Sequence, residues 1–133
     1  MLEAFFPYAQ RTDDIIVRVA VNFQAKSSDP AADRWFWAYH IRIENHGERD
    51  VQLLNRHWEI TDARGALNLV EGPGVIGEQP VIAPGGAYDY VSGCPLTTPV
   101  GAMAGSYGML DTDGTRCSVD IPEFPLLSPA VTR

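Results

Sequence analysis

The sequence predicts an all-β protein, an antiparallel β-sandwich of about seven or eight strands. Three observations predict it. The dominant hydrophobic period is two, not the roughly 3.6 of a helix. The 10 prolines and 12 glycines fall between the apolar runs, where they break helices and make turns. No segment carries a convincing helical pattern, so a parallel sheet would lack its crossover helices. A closed barrel is the alternative architecture.

The elements follow in chain order. From Asp14 to Gln24, Ile15, Val17, Val19, Val21 and Phe23 fall on one face, with Arg18, Asn22 and Gln24 on the other. Arg34 to Asn45 repeats the alternation more strongly: Trp35, Trp37, Tyr39, Ile41 and Ile43 oppose Phe36, Ala38, His40, Arg42 and Glu44. Asn45-His46-Gly47 then reads as a turn. Val51 to Ala63 reads as a third strand, and Arg64-Gly65 turns it into a short fourth at Ala66 to Val70. Pro84-Gly85-Gly86 precedes an alternation of Tyr88, Tyr90 and Ser92. Gly101 to Asp111 puts Met103, Gly105, Tyr107 and Met109 on one side. Asp113-Gly114 is a hairpin signal, followed by Cys117, Val119 and Ile121. The tail from Pro122 through Pro125 to Pro129 reads as extended, pinned by Phe124, Leu126 and Leu127, with the last few residues frayed.

Length and composition fit one domain over residues 1–133, with its core at about 13–129. Hydrophobic residues at 45% and charged residues at 20% exclude a disordered chain. The net charge of −7 argues against nucleic-acid and acidic-membrane partners, which need clustered Lys and Arg. No apolar stretch of about 18 residues is present for a spanning helix. Glu3 and Pro7 do not fit an export signal, so the expected location is cytoplasmic. Cys94 and Cys117 are then expected to be free thiols, and no Cys/His cluster points to zinc. Residues 1–64 hold ten acids and eight bases, whereas residues 65–133 hold seven acids and two bases. All bases but Lys26 are arginines, the side chain suited to planar, bidentate contacts. The N-terminal half is therefore the better place for a specific anion or partner contact.

Gly72, Gly74 and Gly77 form a GxGxxG pattern, which in a dinucleotide site brings backbone amides close to a pyrophosphate at a helix N-terminus. The required helix is not possible here, because Pro80 and Pro84 follow, and Glu71 and Glu78 would repel phosphate. The main reading is a glycine loop joining two strands; a ligand or partner loop built on backbone amides is the second. His57 and Glu59, two apart on one strand face, are candidate metal ligands but supply only two donors. No nucleophile–base–orienter set is readable around Ser92 or Cys94, and Asp111 and Asp113 read as turn formers. Arg56 and Trp58 are residue types enriched in interface hot spots, and share a strand face if no bulge separates them. Phe36, opposite the other aromatics of its strand, would with Trp58 supply an exposed anchor.

The residues also resemble the ApaG family. Arg56-His57-Trp58, then Ile60, Asp62 and Gly65, match its R-H-W-x-I-x-D pattern. Val70, Gly72, Gly74, Val75, Gly77 and Pro80 match its glycine loop. Pro84-Gly85, Tyr90, Ser92-Gly93, Leu96, Thr98-Pro99, Gly101, Met103, Gly105 and Tyr107 match the block that follows, and Ile121-Pro122 and Phe124 its ending. The resemblance covers about residues 13 to 129, with departures at 22–26 and at Cys117. It implies a fibronectin type III-like, immunoglobulin-like sandwich. It also implies a link to cobalt and magnesium tolerance, and a gene neighbour hydrolysing diadenosine tetraphosphate. Related domains in F-box proteins and in a DNA-polymerase-interacting protein look like protein-binding modules. The resemblance fixes no biochemical activity and carries over no catalytic residue.

Two functions are thus expected to compete. The first is a non-enzymatic binding module, without a cofactor, that presents Gly72, Gly74, Gly77, Arg56 and Trp58 to a protein partner or a small anionic ligand. The second is direct handling of divalent metal or of a phosphate or nucleotide ligand through the 72–77 loop, with weak phosphatase chemistry. The expected state is a monomer or a homodimer, since sandwich edges can pair between copies.

Overall fold

The computed structural model describes residues 2–129. After a short helix, α1 (Leu2–Phe5), nine strands follow among the described residues: β1 (Tyr8–Thr12), β2 (Ile15–Phe23), β3 (Trp35–Asn45), β4 (Val51–Asp62), β5 (Leu67–Pro73), β6 (Val81–Ile82), β7 (Ala87–Leu96), β8 (Val100–Asp111) and β9 (Arg116–Leu127). They form two antiparallel sheets, β1-β2-β3-β7 and β5-β4-β8-β9, with β6 pairing the start of β4. The sandwich is the expected one, with two strands more than the alternation reveals. β1 is an edge strand, YAQRT, with three exposed central residues, and β6 has two residues. The expected fraying of the last few residues falls at 130–133, outside the described residues. No helix among the described residues is long and apolar enough to cross a membrane.

Alternation builds the core. Val17, Val19, Trp37, Ile41 and Ile43 of the first sheet bury against Leu53, Tyr107, Met109, Phe124 and Leu126 of the second. Each such side chain contributes about 1.5–3 kcal/mol by leaving water. Two bulges reset the alternation. One at Leu53/Asn55 of β4 moves the inward positions from Val51 and Leu53 to Arg56 and Trp58. The other, opposite Ala104, lets β9 change from Val119 and Ile121 to Phe124 and Leu126, and Pro122 sits inside it. The proline-rich tail is therefore a true strand. It tolerates Pro122 and Pro125 because β9 is a sheet edge.

The sandwich is sealed on one side only. There β1 and β9 meet: the Asp120 amide donates to Thr12 Oγ1 at 3.1 Å, and Tyr8 lies 6.2 Å from Phe124 between ring centroids. The Trp37 indole N–H donates to the Leu127 carbonyl at 2.9 Å. On the opposite side the edge strands are β5 and β7, which belong to different sheets and leave a gap between them.

Candidate binding cleft

That gap is a cleft of about 680 Å³, within the range of ligand pockets. Trp58, Tyr39 and Met103 give it an apolar floor, and Ile60, Val70 and Leu96 its walls. Arg56, Ser92 and Cys94 also line it, and the Asp33-Arg34 turn forms a rim. Tyr39 and Trp58 meet edge-to-face at 5.4 Å, which joins the two sheets at the floor.

The candidate residues sort by this geometry. Arg56 and Trp58 share the inward face, because the bulge precedes both. Trp58 is only 3% exposed, so it is a floor residue and not an exposed anchor. Phe36 faces outward from the other sheet and lies over Gly93, where a Cβ would come within 2.1 Å of its ring; it does not join Trp58. Arg56 Nη1 donates to the Pro73 carbonyl at 3.1 Å and the Gly74 carbonyl at 2.9 Å. Its cross-strand partner is Gly72, and a Cβ there would stand 3.1 Å from Nη2. Arg56 thus ties down the glycine segment.

That segment is less of a loop than its composition implies. Gly72 and Pro73 belong to β5. Val75 and Glu78 exchange backbone hydrogen bonds of 2.8 and 2.9 Å around Ile76 and Gly77, both at positive φ, as in a two-residue hairpin. Gly74, at φ +60°, is fixed by sterics: a Cβ would lie 2.1 Å from the Glu78 carbonyl oxygen. Its amide donates to the Leu54 carbonyl at 2.8 Å. The amides of Gly74, Val75 and Glu78 are therefore occupied within the chain.

His57 and Glu59 point to the outer face of the second sheet, away from the cleft. His57 Nε2 lies 3.2 Å from Glu59 and Nδ1 3.2 Å from Glu71. The two ring nitrogens point apart, so the carboxylates bracket the imidazole and do not converge with it on one point. Among the described residues, no group of three or more His, Cys, Asp or Glu side chains is placed to hold a metal ion. Cys94 is buried, Cys117 is exposed, and both are free. Burial pushes the Cys94 thiol up to about 11, which suppresses thiolate chemistry.

The cleft contains polar groups that local sequence did not single out. Tyr39 and Ser92 are cross-strand partners, which brings their hydroxyls together at the cleft. Burial pushes the Tyr39 phenol upward, so it stays protonated at neutral pH. Deeper in, the Tyr90 and Tyr107 hydroxyls share a hydrogen bond, and burial raises Tyr90 too. The Arg56 charge acts on Tyr39, Tyr90 and Tyr107 alike. The only sequence signal was that Tyr39 and Ser92 both carry hydroxyls on inward positions of alternating strands; nothing local puts them opposite each other.

Comparison with known proteins decides the relationship. The model of the ApaG domain family matches residues 25–111. The chain belongs to the ApaG family. It is 52% identical over 122 residues to Protein ApaG of Rhodospirillum centenum, covering 92% of this chain and 94% of that one. The identity to Protein ApaG of Caulobacter vibrioides is 50% over 122 residues, with 92% and 87% covered. A crystal structure of an ApaA protein from Bordetella pertussis superposes with a TM-score of 0.84 at 41% identity, covering 87% of this chain and 94% of that one. The two-sheet architecture is thus that of an ApaG-family relative, and every residue lining the cleft falls within the matched segment.

Proposed function

We propose that the chain is a non-enzymatic binding module whose working surface is the cleft between β5 and β7, and that its partner is a protein. One observation carries this reading: an apolar-floored cleft opens between two unpaired edge strands. Edge strands offer backbone groups that only another polypeptide can match along their length. Exposed Leu67 on β5 adds a large apolar side chain at the opening. The cleft has hydroxyls and an arginine but no activated nucleophile beside a base. With the net charge of −7, the reading goes with a cytoplasmic protein partner and with neither nucleic acid nor membrane.

The test is affinity capture from native lysate with the wild-type chain and with N68W. Asn68 lines the cleft from an exposed inward position of β5, and Trp there fills the opening without touching the core. Proteins retained by the wild type and lost with a folded N68W support the reading; identical retention contradicts it. Direct metal or nucleotide handling makes a different prediction, sub-millimolar heats on titration with Co²⁺, Mg²⁺ or ATP. Light scattering separates the monomer from a homodimer paired through these same edges.

A further inference from the structure

We infer that the cleft reads the C-terminus of its partner: the free α-carboxylate at Arg56, Tyr39 and Ser92, an apolar last side chain over Trp58 and Met103, and the preceding residues paired with the outer edge of β7. The inference rests on the binding-module reading and adds the chemistry of the ligand.

Charge at the cleft favours an acidic ligand. Arg18 and Arg42 are paired with Glu44, Arg49 with Asp113 and Arg11 with Asp14. Arg56 is half-buried at the cleft, and among the described residues it bonds only to backbone carbonyls, both from Nη1. No carboxylate of a described residue lies within ion-pair distance of it, in a chain with 17 acids. Nε and Nη2 keep donors for an acid that the chain itself does not supply.

Further donors converge on the same cleft. Tyr39 and Ser92 are cross-strand partners that line the same cleft, and each hydroxyl carries a proton it can donate. Asp33 and Asp62 at the periphery balance Arg34 and Arg56, so the cleft suits a single negative charge better than a polyphosphate. The apolar floor beside these donors needs an apolar body attached to that charge.

The edge of β7 favours a peptide over a free apolar acid. Phe36 directs both backbone groups toward the β2 side: its carbonyl accepts from Gln24 at 2.8 Å and its amide donates to Ser28 Oγ at 2.9 Å. Backbone direction alternates along a strand, so Trp35, Trp37 and Tyr39 bond to β7. Their partners Leu96, Cys94 and Ser92 point back at β3, and Val91 and Gly93 point out from the sheet. Pro95, which has no N–H, stands at an outward position, as an edge allows. Among the described residues no strand pairs with this edge, so the amides and carbonyls of Val91 and Gly93 lie open next to Ser92, and a strand added there delivers its terminal residue to the cleft.

The experiment uses fluorescent nonapeptide pools with eight randomised positions and a fixed last residue (Leu, Phe, Lys or Asp), each as free acid and as carboxamide. Polarisation is read against the full chain, Y39F, S92A, R56Q and N68W, with decanoate as competitor and melting temperatures recorded for each. The Leu and Phe free-acid pools are expected to bind at least tenfold more tightly than their carboxamides and than the Lys and Asp pools. Y39F and S92A are expected to weaken them three- to tenfold without weakening the carboxamides. These two variants hold the test if R56Q loosens the hairpin. Equal binding of acids and carboxamides, both lost in N68W, overturns the C-terminal inference and leaves the module reading standing. A rise in melting temperature with decanoate that Y39F diminishes, with no pool bound, overturns the peptide source. If no pool and no acid binds, the C-terminal inference fails, and the capture comparison with N68W decides the module reading.

Discussion

The two long sides of the sandwich solve the same problem in opposite ways. Along β1 and β9, ring contacts and the Asp120–Thr12 bond close the sheets on each other, and Phe124 packs against Tyr8, Tyr39 and Trp58. Prolines on β9 blunt that edge against foreign strands. Along β5 and β7 no described strand closes the gap, the floor stays apolar, and Arg56 has no acid partner among the described residues. The difference teaches that stability and recognition are separated in space: the sealed side and the shared core hold the fold, and the open side is available for a partner.

The comparison is most severely stressed at Phe124, which joins the seam to the cleft floor. F124A is expected to cost about 3–5 kcal/mol in urea unfolding. A loss below about 1 kcal/mol would mean that the seam does not stabilise the fold.

The next largest effect lies on the outer face of the first sheet. Burial alone would raise the Glu44 carboxyl, but hydrogen bonds from Arg18, His46 and Arg42 outweigh it and lower it from 4.5 to about 2. The folded value is the lower one, so the stabilisation is full above about pH 4.5 and is lost as pH falls toward about 2. It amounts to on the order of 3 kcal/mol. Unfolding free energies of the wild type and E44Q between neutral pH and pH 2 check it, and the difference between them is expected to shrink on acidification. This region reports on neither side, so cleft variants should leave that pH dependence unchanged.

A smaller effect is expected at Ile76, a β-branched residue at φ 42° in the hairpin beside the cleft. I76N keeps the turn and removes a side chain ill-suited to it, so a gain of about 1 kcal/mol is expected by thermal unfolding. Unchanged or reduced stability would show that the turn relaxes elsewhere. The smallest stability effect belongs to N68W, within about 0.5 kcal/mol of wild type, because Asn68 is exposed. A severe loss there would mean that the cleft is part of the stabilising core.

The sequence made the sheets legible wherever both faces of a strand differ. Val17, Val19, Ile41 and Ile43 are buried as the alternation requires. It hid β1, whose polar central residues, Gln10 among them, lie at an exposed edge. The extent of β5 was obscured because Gly72 and Pro73 read as loop formers, although Gly72 is a strand residue opposite Arg56. The cleft was not legible at all. It forms where edges of two sheets fail to meet, and Tyr39 and Ser92 become neighbours only through the β3–β7 ladder. Trp58 read as a surface anchor for the same reason: its burial depends on the sheet stacked above it.

The most direct measurement is amide hydrogen exchange followed by NMR, with and without the Leu-ending free-acid peptide pool. In the free chain, Val91 and Gly93 are expected to exchange rapidly and Ser92 slowly, and saturating peptide is expected to slow Val91 and Gly93 at least tenfold. Protection confined to Gly72–Gly77, or Val91 and Gly93 already slow in the free monomer, would contradict an open binding edge at β7.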